Sequence, residues 1–121
     1  MINVLDYHSR PLKFKLDAHV GVCLETPLPV VVNLLAMGES FFLYFHRADQ
    51  ICSMMTATID NYLKYEKVDR LFISMESTDQ VLTVMGVSIV PQIRFYRGGV
   101  EHCKLHGTID YEGLAEFIRR Y

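Results

Sequence analysis

The hydrophobic pattern changes period several times along this chain, and each change predicts an element. Phe41-Phe42-Leu43-Tyr44-Phe45 is apolar without alternation, as a strand covered on both faces is, and it predicts the middle of a sheet. From Ile51 the apolar residues fall at Met54, Met55, Ile59, Tyr62 and Leu63, a helical spacing that lasts to about Lys67. Val68 to Met75 is the next expected strand. Ser77 or Thr78 caps a short helix carrying Val81, Leu82 and Met85 and ending at Gly86. Gln92 to Arg97, the Gly98-Gly99 turn and Val100 to His106 make an antiparallel hairpin. After Gly107, the residues Leu114, Phe117, Ile118 and Tyr121 form an i, i+3, i+4, i+7 stripe. Asp110 and Glu112 stand at the start of that helix and Arg119 and Arg120 at its end, as the macrodipole favours.

Upstream the pattern is less decisive. Val20-Gly21-Val22-Cys23-Leu24 predicts a first strand, and Thr26, Pro27 and Pro29 punctuate a helix start. Val30 to Met37 reads two ways, since consecutive valines favour a strand while Asn33 to Gly38 reads as a helix closed by glycine. Residues 1–18 show no sustained period and are expected to form an N-terminal arm before a single domain over 19–121.

Composition narrows the class. Half of the 121 residues are hydrophobic and 21% are charged, as in a folded domain. The formal net charge of −2 gives no basic face for nucleic acid. No apolar run approaches the roughly 18 residues of a membrane span, and the first ten residues lack the pattern of a secretory leader. A cytoplasmic or nuclear setting is therefore expected. Cys23, Cys52 and Cys103 are too scattered for a disulfide framework or a zinc site, and no cofactor or metal is expected. His102 and His106 lie four apart on one expected strand and so on one face, but two histidines without a third ligand make no metal site.

The most informative stretch is Val87-Ser88-Ile89-Val90-Pro91-Gln92-Ile93-Arg94-Phe95-Tyr96-Arg97-Gly98-Gly99. Proline donates nothing to a sheet ladder, so Pro91 belongs at the mouth of its strand. The stretch resembles the second half of the thioredoxin fold, and the likeness extends from about Val20 to Tyr121. It implies an α/β domain of order β-α-β-α-β-α-β-β-α, with a central mixed four- to five-stranded sheet and helices on both faces. It also implies that Val30–Met37 is a helix and that Pro91 is cis and faces the head of the helix containing Cys52.

In thioredoxins a Cys-x-x-Cys pair heads that helix, where its N-terminus lowers the pKa of the attacking thiol. Here the segment reads Phe45-His46-Arg47-Ala48-Asp49-Gln50-Ile51-Cys52-Ser53-Met54-Met55. The resemblance makes Cys52 the second thiol and puts Asp49 in the place of the first. The tryptophan that precedes the motif is absent, and the place of the buried aspartate on the central strand falls on Tyr44. The spacing is most similar to the phosducin-like proteins, in particular the thioredoxin domain-containing 9 branch. That likeness implies a redox-inactive module binding protein partners, in that family the cytosolic chaperonin and clients such as tubulin and actin. The family's helical segment before the domain has no counterpart in Met1 to Asp17. A lesser likeness, through Asp49, Cys52 and Met55, is to spliceosomal thioredoxin-fold proteins.

Two functions follow from the resemblance. The first is a redox-degenerate module whose groove, formed by Asp49, Ile51, Cys52, Val90, Pro91 and Gln92, holds an extended protein segment, the Val90 backbone adding it as a strand. The second is a monothiol oxidoreductase with Cys52 as its catalytic residue, working with glutathione or an external thiol. From the residues themselves, Cys52 is either a buried small hydrophobe or a reactive thiol. Asp49 is the expected N-cap of the helix, and its charge would raise the Cys52 pKa. His46 and Arg47 are either a polar rim or a solvated loop. Met54, Met55 and Met85 are expected to fill gaps in the core.

Overall fold

In a computed structural model, which describes residues 23–121, the apolar run becomes strand β2 (Phe41–His46), and its two faces define two cores. Before it come β1 (Leu24–Glu25) and α1 (Leu28–Ala36). After it come α2 (Gln50–Tyr65), β3 (Leu71–Glu76), α3 (Asp79–Met85), β4 (Gln92–Arg97), β5 (Val100–His106) and α4 (Tyr111–Arg119). The sheet order is β1-β3-β2-β4-β5, with the first three strands parallel and β4 and β5 antiparallel. This is the α/β fold and element order expected from the sequence. The expected arm, 1–18, and Val20 to Val22 lie outside the described residues.

Side chains alternate across a strand, so Phe42 and Tyr44 point one way and Phe41, Leu43 and Phe45 the other. Phe42 and Tyr44 join Met55, Ile59, Tyr62 and Leu63 of α2 and the apolar stripe of α4. The other three meet Val30, Val31 and Leu34 of α1 and Val81 of α3. All five are at most 1% exposed, and burying each contributes about 1.5–3 kcal/mol. The valines of α1 are helical because Val30, Val31 and Leu34 lie on the side of the helix that covers this sheet, and packing overrides β-propensity.

Several expectations need correction. Helix α2 stops at Tyr65 because Glu66 turns extended (φ −113°, ψ 142°), and β3 begins at Leu71, with Val68 buried as an anchor in the connection. Met54 is 62% exposed while Met55 is buried, because neighbouring helix positions point about 100° apart and only one faces the sheet. His102 and His106 lie on opposite faces. The β4–β5 register jumps from Phe95↔Cys103 to Tyr96↔Glu101, leaving His102 unpaired in a bulge, and one extra residue reverses the alternation. His102 meets the Phe95 and Tyr121 rings, whereas His106 Nδ1 lies 3.1 Å from Gln92 Nε2 on the other face.

The diglycine turn of the hairpin packs against the end of α1. Gly99 has φ +80° and donates to the Glu39 carbonyl at 3.0 Å, and a Cβ there would stand 2.3 Å from the Leu35 carbonyl oxygen. Gly98 also has positive φ but open space around it. Gly99→Ala is expected to cost about 2–4 kcal/mol and Gly98→Ala about 1 kcal/mol, measured by urea denaturation. Equal costs would show that the turn does not lean on α1.

Candidate functional site

The C-terminal end of β2 places three features together. His46 is the last strand residue, Arg47, Ala48 and Asp49 form the link, and α2 begins at Gln50. Asp49 is the N-cap, its Oδ1 accepting the Cys52 N–H at 2.7 Å. In the antiparallel pairing Gln92 is opposite Phe45, so Pro91 lies just past the last rung, at the same end of the sheet as the Asp49 link. The Val90–Pro91 bond is cis.

Around this end, Ile51 is 57% exposed, Met54 62% and Ile89 51%, while Val90 is half-buried and Pro91 and Gln92 are buried. Ile51 and Met54 are three apart on α2 and so neighbours on one face. The Val90 backbone forms no hydrogen bond among the described residues, whereas the Pro91 carbonyl accepts the Gly107 N–H at 2.8 Å. Of the residues singled out from sequence, Asp49, Ile51 and Val90 are accessible here. Cys52 and Gln92 are each only 1% exposed.

The Cys52 thiol is held toward its protonated form. Burial raises its pKa and the Asp49 carboxylate adds to the effect, outweighing the opposing influence of Arg47. Asp49 itself is pulled below the usual carboxylate range, first by the Cys52 backbone N–H. Beneath the helix head, the Tyr44 hydroxyl donates to the Cys52 carbonyl at 2.9 Å and, having one proton, accepts from Thr56 Oγ1 at 3.0 Å. Burial pushes Tyr44 up to about 12, so the phenol keeps its proton at neutral pH. Cys23 rises to about 12, by burial above all, and stands just before edge strand β1, while Cys103 is on the opposite edge strand β5.

Two further parts of the site escaped the sequence. The first is Glu25. Its carboxylate accepts the Ser74 hydroxyl at 2.6 Å and the Glu76 N–H at 2.8 Å, and lies 2.8 Å from His46 Nε2. His46 therefore belongs neither to an open rim nor to a solvated loop: it is tied across the sheet and stacked on Tyr44 at 5.4 Å. Glu25, Tyr44, His46 and Ser74, with Cys23, Thr56, Ile59 and Asp60, border a cavity of about 200 Å³. Only the parallel pairing Glu25↔Ser74 brings them together, and a two-residue strand leaves little trace in a sequence.

The second is Arg94, a cation within strand β4 that is only 5% exposed. It donates to the Met85 carbonyl at 2.7 Å, the Gly86 carbonyl at 3.0 Å and the Tyr96 hydroxyl at 3.0 Å, and Nε donates to Gln92 Oε1. Its guanidinium also lies 5.0 Å from the Phe45 ring and 3.3 Å from a Glu101 oxygen. The side chain thus joins the residues on either side of the 87–91 loop that carries Pro91.

Solved structures place this architecture in a known class: the chain has the thioredoxin fold. Thioredoxin f from spinach chloroplast (short form) is 18% identical, with a TM-score of 0.67 over 84% of this chain and 95% of that one. Mitochondrial thioredoxin 3 from Saccharomyces cerevisiae is 16% identical, with a TM-score of 0.67 over 82% and 95%. A mutant thioredoxin from Halobacterium salinarum NRC-1 is 15% identical, with a TM-score of 0.66 over 84% and 92%. No family model and no curated protein matches the sequence.

Two tests address these contacts. Burial opposes the charge on Glu25, but the bonds from Ser74, His46 and Glu76 prevail and hold its pKa below the usual value. A carboxyl so depressed stabilises the fold above its unfolded pKa of about 4.3, and that stability is lost as pH falls through the folded value. Urea denaturation at a series of pH values should show stability declining below about pH 4.3, with a flatter acid limb in Glu25→Gln. An unchanged limb would remove Glu25 from the account. Arg94→Lys keeps the charge but loses the planar fork, so amide exchange at Val87 and Gly107, whose N–H groups bond the Leu82 and Pro91 carbonyls at the two edges of the loop, should quicken roughly tenfold or more, with β2 and β3 less affected.

Proposed function

We propose that the chain is a redox-degenerate thioredoxin-like module that holds an extended segment of a protein partner beside Pro91, with the Val90 backbone pairing to it as an added strand. The observation that carries the reading is the Val90 backbone, free of hydrogen bonds among the described residues and flanked by exposed Ile51, Met54 and Ile89. Unpaired backbone groups give such a segment its affinity, and the exposed apolar side chains select what it carries. Asp49, Ile51, Cys52, Val90, Pro91 and Gln92 make up the site, with Cys52 and Gln92 shaping it from beneath.

Redox chemistry is the poorer fit. The only thiol at the head of α2 is buried and biased toward its protonated form, and a dithiol cycle needs a second cysteine that the sequence lacks there. The likeness to the phosducin-like proteins supports the same reading and extends it to a cytosolic role as folding cochaperone or scaffold.

Selection of unstructured peptides on the full chain, followed by amide NMR, tests the proposal. Bound peptides are expected to protect the Val90 N–H from exchange. Cys52→Ser should leave affinity within about twofold, while Pro91→Ala weakens it by about tenfold or more. Peptides that leave Val90 unprotected, or whose binding needs the Cys52 thiol, would sink it. Rapid alkylation of Cys52 with a midpoint well below about 8.5, in a Cys23→Ser, Cys103→Ser background, would instead favour a monothiol oxidoreductase.

A further inference from the structure

The Pro91 end of the sheet is also where carboxylates collect. Glu25 and Glu76 close β1 and β3, Asp49 and Asp110 are the N-caps of α2 and α4, and Asp79 and Glu112 stand in the first turns of α3 and α4. All six are exposed. Strands β1, β2 and β3 run parallel toward this end, and the Gly107 N–H on the Pro91 carbonyl brings the link to α4 beside the loop. Of the described lysines and arginines, Lys64, Lys67, Arg70, Arg97, Arg119 and Arg120 lie at the other end, where α2 and α4 finish and the hairpin turns.

The positive charge that opposes these carboxylates falls short of them. Arg47 is the one exposed arginine or lysine at this end among the described residues. Arg94 and Lys104 lie nearer the middle of the sheet, and both approach Glu101, at 3.3 Å and 4.0 Å, so one of the two is already answered. The N-termini of α1, α2, α3 and α4 bring about half a charge each. Together these do not cancel six carboxylates while His46 and His106 are neutral. Capping accounts for Asp49 and Asp110, and the macrodipole suits Asp79 and Glu112, but Glu25 and Glu76 end strands and serve no helix. Among these charges Ile51, Met54 and Ile89 are each more than half exposed beside the Val90 backbone.

We propose that the segment taken up beside Pro91 is basic as well as apolar, its apolar side chains resting on Ile51, Met54 and Ile89 and its lysines or arginines facing the surrounding carboxylates. This rests on the reading of the Pro91 end as a groove for an extended partner, and adds that partner's charge. Side chains alternate along an added strand, so one face can be apolar and the other cationic. The potential of the exposed carboxylates reaches about 10 Å at 0.1 M salt, where it speeds the approach of a basic segment and turns away an acidic one.

The test uses three short peptides with Ile at alternate positions and Lys, Gln or Glu between, titrated into the isotopically labelled full chain and followed by amide NMR. At about 0.1 M salt the Lys peptide should shift the Val90 resonance and bind about tenfold tighter than the Gln peptide, with the Glu peptide weaker still. At about 1 M salt most of that advantage should vanish. Arg47→Gln removes the opposing cation and should tighten the Lys peptide about twofold or more, a gain that no loss of folding can mimic. Glu76→Gln combined with Asp79→Asn should weaken it about threefold or more and leave the Gln peptide unchanged. Equal affinity for the three peptides, or Lys-peptide shifts that gather away from Val90, would overturn the inference. The groove itself would still stand if peptides selected without regard to charge protect the Val90 N–H, and would fall with the inference if none does.

Discussion

The guanidinium of Arg94 is the contact on which the Pro91 end depends. A buried cation is costly unless its donors are met, and here carbonyls, an amide oxygen, a phenol, a partly exposed carboxylate and an aromatic face meet them. The acceptors come from the end of α3, from β4 and from β5, so one side chain joins three elements. Between the Gly86 carbonyl and Gln92 lies the loop with Pro91, and Gln92 Nε2 reaches back to the Ile89 carbonyl at 3.4 Å. The loop therefore leaves the Val90 backbone unpaired among the described residues without being slack. Its conformation is braced from beneath by Arg94 and Gln92.

At the head of α2 two electrostatic effects oppose each other. A helix N-terminus favours a thiolate, and a cap of Ser or Thr would leave that effect intact. Asp49 caps with a full negative charge instead, and its carboxylate takes the N–H of Cys52 itself, so the positive end of the helix stabilises Asp49. Burial then tips the thiol further toward its protonated form. One aspartate thus supplies the cap, commonly worth about 1 kcal/mol to a helix, and adds to the effect of burial on the thiol.

What was legible in the sequence was what depends on local period and punctuation. The unbroken run at Phe41–Phe45, the helical spacing after Ile51, the glycines at 86, 98 and 99 and the Asp49 cap each specify a local conformation, and apart from the earlier end of α2 they fall where expected. What was not legible depends on pairing between distant segments. The Glu25 cluster needs the β1–β3 register, Arg94 became buried because α3 ends over it, and the bulge at His102 reverses a face that simple alternation assigns the other way. The Met54-Met55 pair shows the limit of spacing alone. Both fit a helical stripe, but only the contact with the sheet decides which faces inward.

Tyr44 connects these observations. Its ring lies in the core beside α2, its hydroxyl spans the Cys52 carbonyl and Thr56, and His46 stacks on it while reaching Glu25. A carboxylate at this place could accept a proton from a thiol, but a phenol whose pKa is pushed up to about 12 cannot do so at neutral pH. It can fill volume and hold the first turn of α2 to the sheet. Asp49 likewise serves rigidity, its carboxylate capping α2 through the Cys52 N–H. The helix head is fastened in this way and the Pro91 loop by Arg94, and under the proposed function an edge preorganised like this would lose less entropy on taking up a strand.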